Sequence, residues 1–168
     1  MNATGNIERE EPKDHWGMLI VRGRIVLDPG CGRTYQQEIT TPEYFLNSGA
    51  SRVIGVELQE NEKKWFDRNV TDSRLLVITD KVDTAEKLMF YVDAYCPDVI
   101  KCDIEGDEKI LEDFDFTGIG EIAIEYHSPE MKKMIEENFS RWGFDKIELF
   151  SMNLFDFQKQ GVIYLVKL

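Results

Sequence analysis

Arg24-Ile25-Val26-Leu27-Asp28-Pro29-Gly30-Cys31-Gly32 is the stretch of sequence that decides the fold. Its first four residues include a short apolar run that predicts a buried strand, and a turn with two glycines follows at once. Glycine accepts a positive φ and lets the backbone approach a ligand closely. Because open α/β sheets bind ligands at the carboxyl ends of their strands, this turn is the first candidate binding loop.

The rest of the chain alternates apolar, β-branched runs with amphipathic stretches, which predicts a mostly parallel sheet with crossover helices. The predicted strands are Arg24 to Leu27, Arg52 to Glu57, Leu75 to Thr79, Val99 to Asp103, Glu121 to Glu125, Lys146 to Ser151 and Val162 to Lys167. The predicted helices are Thr41 to Ser48, Glu60 to Asn69, Thr84 to Tyr95, Glu108 to Asp113 and Pro129 to Trp142. No helix separates the last two strands, so we expect them to pair antiparallel at the sheet edge.

Five parallel strands followed by an antiparallel edge hairpin, with helices on both faces, are typical of the α/β Rossmann-like methyltransferase fold. A chain of 168 residues fits a single domain. We therefore expect an N-terminal leader over residues 1–23 and one domain with a seven-stranded, mostly parallel sheet over residues 24–168.

Composition narrows the range of partners and compartments. A net charge of -12 repels phosphate backbones, which argues against a nucleic-acid partner. Three cysteines without Cys-x-x-Cys spacing predict neither a disulfide framework nor a zinc site. The polar first 15 residues lack a signal-peptide core, and no apolar run approaches the roughly 20 residues that cross a bilayer. We expect a cytoplasmic protein without a membrane partner.

The glycine turn favours S-adenosylmethionine (SAM) over NAD as the cofactor. An NAD site would continue as Gly-x-Gly-x-x-Gly, but Tyr35 occupies the third glycine position. Asp28 can face the cationic amine of SAM, Glu57 can accept hydrogen bonds from ribose hydroxyls, and Asp80 follows the third strand where it can bond the adenine amino group. The predicted cofactor residues are Asp28, Pro29, Gly30, Cys31, Gly32, Glu57 and Asp80. A purely structural turn, and a helix-capping role for Glu57, remain the alternatives.

A longer motif gives a family resemblance. Lys101-Cys102-Asp103-Ile104-Glu105-Gly106-Asp107-Glu108 reads as Lys-x-Asp-x-Glu-Gly-x-Glu and resembles the signature of FkbM-like methyltransferases. Ile124-Glu125-Tyr126-His127 is similar to an Ile-Glu-x-His element of that family, and the resemblance covers roughly Ile25 to Phe144. It implies a SAM-dependent enzyme that methylates a hydroxyl oxygen of a sugar or another small-molecule acceptor. The chain departs from the family in Thr34, which replaces a third loop glycine, in Pro29 and in its short length.

Three residues are candidates for the base that removes the acceptor proton: Asp103, Glu105 and His127. Asp103 and Glu105 leave the fourth strand on the same side of the sheet. His127 follows the fifth strand, and its ordinary pKa of about 6.5 suits proton removal near neutrality. A solvated helix start for the acids and a capping role for the histidine remain alternatives. Clustered carboxylates also suit Mg²⁺ or Ca²⁺, but their spacing does not match an EF-hand loop, so we expect no metal.

The sequence is also compatible with two other functions. A catalytically idle SAM-binding or interaction module would keep the fold and lose the acceptor site, and a nicotinamide oxidoreductase is a weaker third reading. Because the chain is short, we expect the acceptor to be covered by the segment around His15-Trp16, by residues Met152 to Gln160 or by a second subunit of a homo-oligomer.

Overall fold

The secondary structure alternates strands and helices along most of the chain. The structure, a computed structural model, describes residues 15–32, 39–151 and 161–168. Its strands are β1 Ile25–Pro29, β2 Arg52–Glu57, β3 Leu75–Thr79, β4 Val99–Cys102, β5 Glu121–Tyr126, β6 Lys146–Ser151 and β7 Gly161–Val166. Its helices are α1 Thr41–Asn47, α2 Glu60–Asn69, α3 Ala85–Tyr95 and α4 Pro129–Asn138, with short 3₁₀ helices at His15–Met18 and Glu108–Leu111.

All seven strands form one sheet in the order β3-β2-β1-β4-β5-β7-β6. The pairs among β1 to β5 are parallel, while β7 runs antiparallel to both β5 and β6. The predicted mostly parallel sheet with an antiparallel C-terminal hairpin is confirmed. The strand order reverses between β1 and β4, and this switch point is where a doubly wound sheet opens a crevice at its carboxyl edge.

Successive strand residues point to opposite faces, and each face carries its own apolar cluster. Val26, Val53 and Val99 pack on one face with side chains from α1 and the N-terminal 3₁₀ helix. Their neighbours in the chain, Leu27, Ile54 and Ile100, pack on the other face with α3, α4 and the second 3₁₀ helix. Strands buried on both faces explain why the sequence shows continuous apolar runs rather than alternation.

Three helices begin at polar caps that bind their own first turns. Thr40 and Glu43 form a reciprocal capping box at the start of α1, and Pro42 lies in the first turn of that helix. The side chains of Thr84 and Ser128 accept hydrogen bonds from the first turns of α3 and α4. These caps fix where each crossover leaves the carboxyl edge of the sheet.

Three predicted boundaries differ from the structure. Residues 16–21 were expected in the leader, yet Trp16, Met18, Leu19 and Val21 are buried, so the packed domain begins before residue 24. The predicted helix Glu108 to Asp113 is only a 3₁₀ helix, Glu108–Leu111. Helix α4 ends at Asn138, four residues before the predicted end, and the chain reaches Gly143 through turns. Among the described residues, no helix is long and apolar enough to cross a membrane.

Candidate functional site

A cleft opens at the carboxyl ends of β1, β2 and β4. Its volume is about 520 Å³. Its lining residues are Gly30, Gly32, Val56, Glu57, Leu58, Gln59, Glu62, Asp80, Lys81, Val82, Asp103, Ile104, Glu105 and Asp107. The cleft therefore lies at the switch point of the sheet, as the position of the glycine turn predicts.

Both loop glycines make close contacts, and Gly30 is required by its contact. Gly30 has a φ of +76°, and a Cβ there would lie 1.5 Å from the backbone oxygen of Asp103, so only glycine allows this approach to β4. A Cβ at Gly32 would lie 2.8 Å from Oε2 of Glu57, and the flexible Glu57 side chain would have to move to admit it.

Pro29 and Cys31 support the cleft rather than line it. Pro29 is the last residue of β1, and its carbonyl accepts a hydrogen bond from the amide of Asp103. Cys31 is fully buried against Gly55, where an added Cβ would lie 2.6 Å from its Sγ atom. Burial raises the pKa of the Cys31 thiol, which keeps it protonated and unreactive at neutral pH.

Asp28 faces an internal cation. Both Asp28 and Lys101 are almost completely buried, and Nζ of Lys101 lies 3.1 Å from Oδ1 of Asp28. Burial raises the pKa of Asp28 to about 6, against the opposing attraction of Lys101. Burial alone would lower the pKa of Lys101, but the Asp28 and Asp103 carboxylates outweigh it and the net shift is upward. The pair is therefore ionised at neutral pH, and Asp28 contacts this lysine and is not among the residues that line the cleft.

Glu57 and Asp80 line the cleft at the ends of β2 and β3, as predicted. Oε1 of Glu57 accepts a hydrogen bond of 2.8 Å from the amide of Gln59. Asp80 accepts a hydrogen bond of 2.8 Å from the Tyr91 hydroxyl, and this bond lowers the pKa of Asp80. Leu58 also lines the cleft, exposes 61% of its surface and offers an apolar wall.

Asp103 and Glu105 line the same cleft, and the backbone of Asp103 packs against Gly30. Oδ2 of Asp103 accepts a hydrogen bond of 3.3 Å from Lys101, while its Oδ1 is buried without a hydrogen-bond partner among the described residues. Glu105 has a φ of +55°, a left-handed conformation that non-glycine residues adopt rarely and at a cost. The strained turn projects the Glu105 side chain outward, and 85% of that side chain is exposed.

His127 follows β5 and converges on the same two acids. Its Nε2 lies 4.0 Å from Oδ1 of Asp103, 3.6 Å from Oε2 of Glu105 and 3.8 Å from Oε1 of Glu125. Its Nδ1 lies 2.6 Å from Oε1 of the fully buried Glu108. The structure thus brings the three predicted proton acceptors together at one corner of the cleft.

The pKa of His127 is higher than the ordinary value of about 6.5 that the sequence analysis assumes. Its hydrogen bond to Glu108 raises the pKa to about 9, although partial burial acts in the opposite direction. Burial and the nearby Asp103 carboxylate raise the pKa of Glu125 to about 7. At neutral pH the imidazole is therefore mostly protonated, and it balances the surrounding carboxylates instead of acting as a free base.

Several residues that build the site were not singled out from the sequence. Lys101 and Glu108 occur in the quoted motif, but only the structure shows that both are buried and hold other site residues. For Lys101 the signal is a charged residue inside an apolar strand, since buried charges need partners, whereas Glu108 begins a 3₁₀ helix and carries no such signal. Leu58 was missed because an exposed leucine is common on protein surfaces.

Solved structures show the same fold at low sequence identity. An S-adenosylmethionine-dependent methyltransferase from Mesorhizobium loti aligns with a TM-score of 0.62 at 12% identity, covering 90% of this chain and 95% of its own. A predicted methyltransferase of the same kind from Listeria monocytogenes gives a TM-score of 0.55 at 13% identity, with coverages of 91% and 94%. A predicted methyltransferase from Streptococcus mutans, solved in complex with SAH, gives 0.51 at 15% identity, with coverages of 89% and 90%.

The fold is therefore Rossmann-like and shared with SAM-dependent methyltransferases. No protein-family model matches the sequence, and no curated protein sequence is significantly similar to it. Nothing in these comparisons points to the FkbM-like family in particular.

Proposed function

We propose that this chain is a SAM-dependent methyltransferase that acts on a hydroxyl oxygen of a sugar or another small-molecule acceptor. The observation that carries the proposal is the composition of the cleft lining. It joins the glycine turn, Glu57 and Asp80 to the carboxylates of Asp103 and Glu105, which follow β4 beside Gly30. The FkbM-like motif around Asp103 supports the same reaction. The Streptococcus mutans protein with this fold was solved with SAH bound, which supports SAM as the cofactor.

The described residues fit SAM as the cofactor. Gly30 and Gly32 line the cleft with backbone that carries no side chain. The Glu57 carboxylate ends β2 and can accept hydrogen bonds from the ribose hydroxyls, and Asp80 can accept one from the adenine amino group. Leu58 adds exposed apolar surface to the cleft lining, suited to the face of the adenine ring.

The carboxylates of Asp103 and Glu105 would bind the acceptor and take its proton. When bound, SAM supplies an electrophilic methyl carbon that the acceptor oxygen attacks as the carbon–sulfur bond breaks. Asp103 and Glu105 face the cleft and can take the acceptor proton, a contribution of about a hundredfold to ten-thousandfold in rate. His127, held by Glu108, lies close enough to orient both of these carboxylates.

Calorimetry with SAH tests the cofactor assignment. We expect wild-type protein to bind SAH and not NAD. Glu57→Gln should weaken SAH binding by about tenfold or more, because hydrogen bonds to a charged acceptor contribute about 1.5 to 3 kcal/mol each. Glu86→Gln removes an exposed acid from the first turn of α3 and serves as the matched control. Wild-type protein that binds no SAH would exclude the proposed cofactor.

An acceptor screen separates an enzyme from an idle binding module. Sugars and hydroxylated metabolites are incubated with protein and methyl-labelled SAM, and we expect one acceptor class to become labelled. Asp103→Asn or Glu105→Gln should then lower turnover by about a hundredfold or more while SAH affinity changes little. Tight SAH binding without any labelled acceptor would favour the idle module.

A further inference from the structure

We propose that Asp103, Glu125 and His127 form a binding site for a divalent transition-metal ion such as Mn²⁺. One ligand atom from each residue lies within 4.8 Å of the other two. The residues come from the ends of two neighbouring parallel strands, β4 and β5. The expectation of no metal came from the spacing of acids within one loop, and that spacing cannot detect ligands joined by strand pairing.

The interatomic distances suit an ion between the side chains. Nε2 of His127 lies 4.0 Å from the Asp103 oxygen and 3.8 Å from the Glu125 oxygen, which is too long for direct hydrogen bonds. Ligand atoms about 2.1 Å from a metal lie about 3 Å apart when adjacent and about 4.2 Å apart when opposite. Both measured distances fall between these limits, so small side-chain movements would complete coordination.

Glu108 orients the imidazole for this role. Its carboxylate binds Nδ1 of His127 at 2.6 Å and also accepts a hydrogen bond of 3.0 Å from the amide of Gly106. With Nδ1 held by a fully buried carboxylate, Nε2 is the ring nitrogen that faces Asp103 and Glu125, and a bound metal ion would displace the proton from it. Metal-binding histidines are held in this way by a carboxylate on the other nitrogen.

Asp103 supplies an oxygen that is prepared for a ligand. Lys101 donates a hydrogen bond to Oδ2, while Oδ1 is shielded from solvent and lacks a hydrogen-bond partner among the described residues. A buried oxygen without a partner is unfavourable unless a ligand satisfies it. It is the oxygen that faces Nε2 of His127, so it points toward the proposed ion.

The ligand set favours a transition metal over Mg²⁺ or Ca²⁺. One imidazole nitrogen with two carboxylates suits ions that accept both nitrogen and oxygen, whereas Mg²⁺ and Ca²⁺ prefer oxygen alone. The geometry alone supports the metal site. A role of the metal ion in catalysis depends in addition on the proposed function. Because Asp103 lines the cleft, an ion there would contact the acceptor oxygen and favour its deprotonation, which leaves Glu105 to take the proton.

Electron paramagnetic resonance with Mn²⁺ tests the site directly. Chelator-treated wild-type protein is titrated with Mn²⁺ without SAM, and we expect the free-ion signal to fall until one Mn²⁺ is bound per chain. Glu125→Gln should weaken binding by at least about tenfold, and Glu108→Gln by about 10- to 100-fold. Glu112→Gln removes an exposed acid nearby in the chain and should bind Mn²⁺ like the wild type. Mg²⁺ should compete poorly.

Nuclear magnetic resonance of the wild-type protein tests the same site without depending on whether the variants fold. The chain has two histidines, so Mn²⁺ should broaden the ring signals of His127 and leave those of His15 as a reference. No binding up to about millimolar free Mn²⁺, or equal affinity in Glu125→Gln and Glu112→Gln, would overturn the proposal. Either result leaves SAH binding, which is measured separately, as an independent test of the proposed function.

Discussion

Lys101 is the residue on which the geometry of the site most depends. Lysine is almost never fully buried without partners, yet only 1% of this side chain is exposed. Its ammonium donates a hydrogen bond of 2.7 Å to the carbonyl of Gly30, contacts Asp28 and Asp103, and lies 4.9 Å from the centre of the Trp16 ring. It thus ties the glycine turn to the end of β4 from beneath the cleft.

Lys101→Met should lower the free energy of unfolding by about 3 to 5 kcal/mol, because it leaves the buried Asp28 carboxylate without its cation. Urea denaturation of both single variants and of the double variant Lys101→Met/Asp28→Asn measures the coupling. The double variant should recover part of the loss, since the unpaired charge is then gone. Losses that simply add would show that the two side chains do not interact in solution.

Gly30→Ala tests the close approach of the turn to β4. Its Cβ would lie 1.5 Å from a backbone oxygen, so the turn must move, and we expect a loss of stability well beyond the strain of a positive φ. Gly23→Ala is the matched control, because Gly23 has a φ of +74° with nothing within 4 Å. The control should cost about 1 to 2 kcal/mol from conformation alone. Equal unfolding free energies for the two variants would contradict the packing of the turn.

At the level of elements, the strands were predictable because burial on both faces leaves a strong local pattern. The sequence locates β2, β3 and β6 to the residue, and β1, β4, β5 and β7 within about two residues. Helix ends were less predictable. Nothing local in the sequence stops α4 at Asn138, and the 3₁₀ helix at Glu108–Leu111 contains a buried glutamate whose burial depends on His127, far away in the chain.

The turn after β4 was predicted to carry catalytic acids, but its strain was not predictable. Glu105→Gly should raise the free energy of unfolding by roughly 1 kcal/mol, because glycine adopts a positive φ freely. If Glu105 takes the acceptor proton, the same variant should lose turnover while it gains stability. Thermal unfolding and the methyl-transfer assay together separate these effects. A variant with wild-type turnover would remove Glu105 from the proposed chemistry.

For the whole molecule, topology accounts for most of the candidate site. Asp28, Glu57, Asp80, Asp103 and His127 are far apart in the chain, and the topology brings them to one sheet edge because each lies at or just after the carboxyl end of a parallel strand. This convergence follows from the alternating pattern, so the sequence predicts which residues gather there. It does not predict their partners, because the Asp28–Lys101 and His127–Glu108 pairs depend on how individual side chains pack.

Residues 16–21 are the part of the molecule where the structure differs most from the prediction made from the sequence. Trp16 was expected to lie in a leader, but 2% of it is exposed and it belongs to the apolar cluster on the α1 face of the sheet, above the Lys101 ammonium. Met18-Leu19-Ile20-Val21 is a short apolar run without a helix or strand period, so the sheet face that it covers is visible only in the structure.

Trp16→Ala should therefore destabilise the whole domain, by about 3 to 5 kcal/mol, the cost of removing a large buried aromatic side chain. Because the lost ring also covers Lys101, the variant should weaken SAH binding even under conditions where it remains folded. Ile20→Ala provides the control in the same segment, since 52% of Ile20 is exposed and its truncation should change stability by about 0.5 kcal/mol or less. Chemical denaturation of the three proteins checks this, and equal midpoints would mean that residues 16–21 are a detachable leader after all.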